Sequence, residues 1–296
     1  MLKSPAFLFP TTIYMMDDDK HFMHMLSKSL PQNFNVVLFD NSIDLIDALN
    51  NDTILCMDAP KEASKLYPFN SLQRVKQFME LGFHHHILST LIIDQHLEDT
   101  DGLQILKKVK SLDINKILMS NFIEQKDLHM AYNQGLINAF VPKMSHNFIS
   151  QLQSTVMSLN KQFFIKLSEK IYNIQTTGKF LTEDAFAKYF DDLIRKLQIT
   201  SYIAHENFNV FELHSQISPN NIYLFIAAEQ DFEDLLNSIQ AERASERVLE
   251  KIRRREAIPC VKTGEIPCGS LWSEYMQPVT TLKGENTYYV SCQTTF

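Results

Sequence analysis

The chain has 296 residues, 45% hydrophobic and 21% charged, enough to bury one large core or two ordinary ones. With 7 Gly and 10 Pro it is neither collagen-like nor low-complexity, and its net charge of -7, spread over both halves, argues against a generic binder of DNA or RNA phosphates. No apolar run approaches the roughly 18 residues a membrane span needs. The short Phe7-Leu8-Phe9 run, bracketed by Pro5 and Pro10, lacks a signal-peptide core, and four cysteines make no disulfide framework. A reducing cytoplasm is the expected setting.

In the first half, short apolar runs alternate with helical patterns. Thr12–Met16, Val36–Phe39, Leu91–Ile93, Lys116–Met119 and Ala139–Val141 read as buried strands. Between them lie the helical spacings Phe22/Met25/Leu26, Ile43/Ile46/Leu49, Leu103/Leu106/Val109 and Leu128/Ala131/Tyr132. This alternation predicts an α/β domain over residues 1–146: a five-stranded, doubly wound parallel sheet of flavodoxin-like type. Residues 51–88 break the rhythm and read as a peripheral insertion, with Ser71 capping a short helix that carries Leu72, Val75 and Met79.

From Asn147 to about Gln175 the residues Ile149, Leu152, Val156, Leu159, Phe163, Leu167, Ile171 and Ile174 keep a helical period. Such a helix fits a connector or a homodimer seam over 147–175, or equally a core helix of the second domain. After Gly178, Thr182 is placed to cap a helix bearing Phe186, Phe190, Leu193 and Leu197. Strand-like runs Ile199–His205, Val210–His214 and Ile222–Ala228 follow, then a charged helix about Asp231–Glu256 and a last strand Thr287–Gln293. Residues 177–296 therefore read as a smaller α+β domain with mostly antiparallel strands.

The chemistry-bearing residues cluster at predicted strand ends. Asp17-Asp18-Asp19 follows the first strand and Asp94 the third, which is the rim where open α/β sheets build their sites. Carboxylates converging there repel unless a cation neutralises them, and a hard ion with oxygen ligands, Mg²⁺, fits best. Ser120 and Lys143 follow the fourth and fifth strands, adding a hydroxyl and an ammonium to a phosphoryl-binding set.

In the segments Ile13–Asp19 (IYMMDDD), Leu91–Gly102 (LIIDQHLEDTDG), Lys116–Ser120 (KILMS) and Gln134–Lys143 (QGLINAFVPK), the sequence resembles the receiver domain of bacterial two-component response regulators. The likeness covers roughly residues 11–146, less the insertion. It implies that Asp94 is the phosphoacceptor, charged by a histidine kinase or phosphotransfer protein, and that Asp17, Asp18 and Asp94, with the His96 backbone carbonyl, hold Mg²⁺. It further implies that Ser120 turns toward the phosphoryl oxygen, that Phe140 changes rotamer with it, that Lys143 pairs with the phosphoryl charge, and that Asp101-Gly102 opens the third helix. Glu98 stands where the family usually has Pro, and Pro142 precedes Lys143 where the family has a Pro after it.

Other signals are weaker. His84-His85-His86 point to alternating faces if extended, His21 and His24 lack a ligating partner, and Cys260 and Cys268 lack a second pair, so none makes a metal site. Lys251 and Arg253-Arg254-Arg255 sit among Glu246, Glu250 and Glu256 as a solvated helix face does, with a phosphate-binding role as the alternative. Residues 177–296 show neither a catalytic set nor a DNA-reading helix pair. A phosphorylation-switched module contacting a downstream protein or a second copy is the leading expectation. An output enzyme on a small phosphorylated ligand, a phosphorylation-independent pseudo-receiver adaptor and, against the acidic charge, a transcription factor are the alternatives.

Overall fold

A computed structural model describes residues 1–31, 34–51, 71–82, 87–109, 113–171, 178–205, 209–261, 267 and 269–294. The chain divides into two compact units. One is Phe9–Ile171; the other joins Met1–Leu8 to Tyr172–Phe296.

The first unit is built on a five-stranded parallel sheet. Its strands are β2 (Thr12–Met16), β3 (Asn35–Phe39), β4 (Leu88–Asp94), β5 (Asn115–Ser120) and β6 (Ala139–Pro142), in the order β3-β2-β4-β5-β6. The central strands β2, β4 and β5 are buried along their whole length, as continuous apolar runs in a sheet covered on both faces must be. Alternate residues face opposite ways. Tyr14, Met16, Leu91, Ile93 and Leu118 meet the helices Ser42–Asn51, Gly102–Lys108 and Gln125–Asn133. Ile13, Met15, Ile92, Ile117, Met119 and Val141 meet the helices Lys20–Ser29 and Phe148–Ile171.

Two predicted helix faces are rotated. Met23, not Met25, is buried beside Leu26, and Leu45 is buried while Ile43 is 69% exposed. Three-residue spacings on short helices leave the face ambiguous, and packing against the sheet selects it. Ser71 does cap a helix, Leu72–Glu80, through the Arg74 amide, and Leu72, Val75 and Phe78 are its buried residues. Phe78 stands 6.1 Å from the ring of Phe9. Of the described residues of 51–88, only Leu88 enters the sheet, as the first residue of β4, so the insertion ends one residue earlier than expected. His84–His86 and Cys56 lie outside the described residues.

The long helix corrects the expectation of a free connector. Phe148–Ile171 lies within the parallel-sheet unit, so that unit extends to residue 171 rather than 146. Phe148, Leu152, Val156 and Leu159 complete the core under β2, β4 and β5. Asn160 accepts from Thr11 at 3.4 Å, and the Leu159 carbonyl accepts from Asn115 at 3.1 Å. Leu152, Val156 and Leu159 of the apolar stripe proposed as a homodimer seam pack on the chain's own sheet, while Ile149 is 40% exposed. The helical period shows that a face is buried but not against what.

The second unit carries a six-stranded antiparallel sheet in the order β1-β7-β8-β9-β13-β12. These strands are β1 (Phe7–Leu8), β7 (Ile199–Ala204), β8 (Val210–Ser215), β9 (Ile222–Ala228), β12 (Thr280–Lys283) and β13 (Thr287–Thr294); a separate pair joins β10 (Ala257–Pro259) and β11 (Met276–Pro278). The α+β reading thus holds, with an unforeseen edge strand supplied by the N-terminus. Phe180, Phe186, Phe190, Tyr202, Phe211 and Tyr288 form a chain of ring contacts. Phe225, Phe232, Val248, Ile252, Trp272 and Tyr289 form a second cluster. The helix Asp184–Lys196 is preceded by Glu183, not Thr182, which sits in a 3-10 turn. The charged stretch is two helices, Asp231–Ala241 and Glu246–Arg253, interrupted where Arg243 takes a positive φ of 59°. Among the described residues no helix is long and apolar enough to cross a membrane.

Candidate phosphoacceptor site

The strand register assembles the acidic rim. Met16 pairs with Ile93, so the next residues, Asp17 and Asp94, emerge side by side at the carboxyl ends of β2 and β4. Ser120 pairs with Pro142, which brings Lys143 to the same rim. Asp17 is 1% and Asp94 5% exposed. Two carboxylates this buried need a countercharge, and the Lys143 ammonium provides it, 2.7 Å from Asp17 Oδ2 and 2.9 Å from Asp94 Oδ1. Burial pushes the Asp17 carboxyl up from its ordinary range, and the hydrogen bond from Lys143 only partly offsets that. Burial works against the Lys143 charge, but its bonds to Asp17 and Asp94 outweigh it and hold the ammonium above its ordinary pKa. The same ammonium stands 4.9 Å from the centroid of Phe22, a contact no sequence signal indicated.

The other acidic residues serve the backbone. Asp17 Oδ1 accepts from the Asp19 amide, and Asp19 caps the first helix through the Phe22 amide. Asp18 is exposed and accepts at 3.1 Å from the amide of Glu98. A proline at position 98 has no N–H and would leave that bond unmade. Among the described residues no three His, Cys, Asp or Glu side chains converge as a metal-holding group. Lys143 occupies the space between the two buried carboxylates, and Asp18 turns to Glu98.

The turn after Asp94 is closed by backbone contacts. Gln95 donates to Met119 O and accepts from Gly102, and His96 bridges Asp101. Asp101 caps its helix through the Leu103 amide at 2.8 Å. A Cβ on Gly102 would overlap the Asp94 carbonyl oxygen and stand 3.2 Å from Gln95 Cα, so only glycine lets the helix start approach the site this closely. Ser120 is fully buried, and its hydroxyl donates to the Phe122 carbonyl at 2.6 Å while accepting from the Phe122 amide. The His96 ring, rather than entering the acidic pocket, meets the same carbonyl through Nε2 at 3.2 Å. Phe140 is partly buried against the apolar core below the rim.

The structure is similar along its whole length to that of the response regulator LqsR of Legionella pneumophila. The TM-score is 0.78 at 21% identity, covering 100% of this chain and 90% of LqsR. The chain has a response-regulator fold. Shorter overlaps reach the response regulator DrrB of Thermotoga maritima, an OmpR/PhoB homologue (15% identity, 52% of this chain, 54% of that chain, TM-score 0.35), and the cyanobacterial phytochrome response regulator RcpA (17%, 52%, 94%, 0.34). Scores that low add nothing to the assignment, which rests on the first match. No protein-family model matches the sequence, and no curated protein matches it.

Outside the receiver rim, the clusters singled out in the sequence resolve into structural roles. Arg253 pairs with Glu246, Arg254 with Glu250, and Arg255 with Glu229, while Arg255 also covers the Phe232 ring at 4.3 Å. The three guanidinium groups considered for an anion site are thus each engaged by a carboxylate. Burial pushes the Cys260 thiol up to about 12, and Cys268 lies outside the described residues.

Proposed function

We propose that the chain is the phosphoacceptor response regulator of a two-component system, charged at Asp94 by a histidine kinase or phosphotransfer protein in the cytoplasm. The observation that carries this reading is the placement of buried Asp94 beside Asp17, with Lys143 bridging both, on the carboxyl rim of a five-stranded parallel sheet. Lys143 engages Oδ1 of Asp94, which leaves Oδ2 to attack phosphorus; the bond from phosphorus to the donor breaks, and an acyl phosphate forms. Lys143 then pairs with the new negative charge, and Ser120 donates to a phosphoryl oxygen once its hydroxyl leaves the Phe122 carbonyl. Phe140, on the neighbouring strand of the same rim, follows that movement.

The donor set suits Mg²⁺: it is all oxygen, with two carboxylates side by side. Asp17, Asp18, Asp94 and the His96 carbonyl would hold the ion once Lys143 gives up its place between Asp17 and Asp94 and Asp18 exchanges its bond to Glu98. The ion supplies charge neutralisation of the transferring phosphoryl group. The output is contact of residues 177–296 with a downstream protein or a second copy; the arginine cluster considered for a phosphorylated ligand is internally paired.

Incubation with acetyl phosphate and Mg²⁺, followed by intact mass, tests the reading. A gain of one phosphoryl group in the wild type and none in Asp94→Asn is expected. Equal labelling of the variant moves the acceptor elsewhere. No labelling of the wild type by any phosphodonor leaves the pseudo-receiver alternative, in which Lys143 is a permanent countercharge; the closure of Asp17 and Asp94 around it favours that second reading.

A further inference from the structure

The Phe122 carbonyl is a shared acceptor. It takes the Ser120 hydroxyl at 2.6 Å and the His96 ring nitrogen Nε2 at 3.2 Å. A carbonyl oxygen only accepts, so Nε2 carries a hydrogen in this arrangement. The Ser120 hydroxyl has one proton, and it is committed here. His96 is itself held: it bridges Asp101, and its neighbours bond within the turn, Leu97 N to Thr100 O at 3.2 Å and Gly102 N to Gln95 O at 2.8 Å. One ring therefore links the loop after β4, which carries Asp94, to the loop after β5, which carries Ser120.

We infer that His96 is a positioning residue for Ser120: its Nε2–H keeps the Phe122 carbonyl satisfied when the hydroxyl leaves, and so frees that hydroxyl for a phosphoryl oxygen on Asp94. The inference rests on the phosphoacceptor reading. Before charging, both donors share the carbonyl. After charging, Ser120 donates to the phosphoryl group and His96 alone holds Phe122. Without the imidazole, the hydroxyl leaves behind an exposed carbonyl that only water can satisfy, and the loss of the protein donor opposes the switch modestly. The backbone carbonyl of His96 is unaffected by side-chain changes, which separates this role from any part in holding a metal.

The test is equilibrium binding of beryllium fluoride with Mg²⁺ to the full chain, by calorimetry, in wild type, His96→Leu, His96→Gln and Ser120→Ala, and in both His96 variants on the Ser120→Ala background. Loss of the donor in His96→Leu should weaken binding about two- to fivefold, the lower part of the range for one hydrogen bond, because Phe122 is exposed. His96→Gln, which keeps an N–H donor, should stay within about twofold of wild type. On the Ser120→Ala background His96→Leu should have no further effect, because no hydroxyl remains to be released. Wild-type binding with equal binding by His96→Leu, failure of Gln to rescue, or an undiminished His96→Leu effect on the Ser120→Ala background overturns the hand-off alone. No binding by wild type overturns the phosphoacceptor reading and the hand-off with it.

Discussion

Replacing Lys143 by Met leaves Asp17 and Asp94 buried side by side without a countercharge. At 2.7 and 2.9 Å each attraction is about 6 kcal/mol at an effective dielectric of about 20, most of it offset by the cost of removing the charges from water. What the variant loses is the compensation, and removing one partner of a buried pair typically costs about 3–5 kcal/mol. The pH dependence fixes the cause. Lys143 has a raised pKa, so its contribution is present at all pH values below its unfolded pKa and fades only as pH rises through the higher folded one. Asp17 also has a raised pKa, so the folded chain takes up its proton more readily than the unfolded chain, and stability linked to it is greatest in acid and falls as pH rises through the folded value. Without Lys143 that burden grows, and the loss should shrink as pH falls and Asp17 takes up its proton. Hydrogen exchange of the β2, β4 and β5 amides in urea reads the receiver directly. The only tryptophan, Trp272, belongs to the other unit, so its fluorescence transition should not move and serves as the internal control. A loss below about 1 kcal/mol, or one that does not shrink as pH is lowered from about 7, would refute the countercharge argument.

Other expected outcomes follow from single contacts. Gly102→Ala forces the helix start away from Asp94; a destabilisation of about 1–3 kcal/mol and slowed acetyl phosphate labelling are expected, and unchanged labelling would show the close approach to be dispensable. Leu152→Ala opens a cavity in the receiver core and should cost about 2–5 kcal/mol by receiver hydrogen exchange without altering the sedimentation of the full chain; a selective loss of self-association would restore the dimer-seam reading. Deleting Met1–Leu8 removes the edge strand, buried Phe7 and the Lys3–Asp184 pair, and should lower the Trp272 unfolding midpoint while sparing the receiver amides; the opposite pattern would contradict the division of the chain.

The local chemistry of the receiver was legible in the sequence. Strands buried on both faces must be written as continuous apolar runs, so β2, β4 and β5 stand out, and the polar residues that end them, Asp17, Asp94 and Ser120, fall at the rim by chain order alone. The cap at Ser71 was legible too, since an oxygen beside an unpaired helix N–H leaves a local signature, whereas Asp101-Gly102 at the third helix start came only from the family resemblance.

Tertiary structure decided what local patterns leave degenerate. An apolar helical stripe is written identically whether its partner is the chain's own sheet or a second copy, and only the packing of Leu152, Val156 and Leu159 with Met15, Ile92 and Ile117 showed that this part of the long helix belongs to the sheet's core. The two-residue strand Phe7–Leu8 has no period to detect, and its pairing partner lies almost two hundred residues away. Side-chain choices at the rim were equally hidden. Asp18 turning to the Glu98 amide, and His96 and Ser120 meeting at one carbonyl, depend on how two loops from different strands approach each other, and sequence spacing carries no record of that approach. Residue types and strand ends fixed which groups reach the site; the sheet register and loop closure fixed which of them touch.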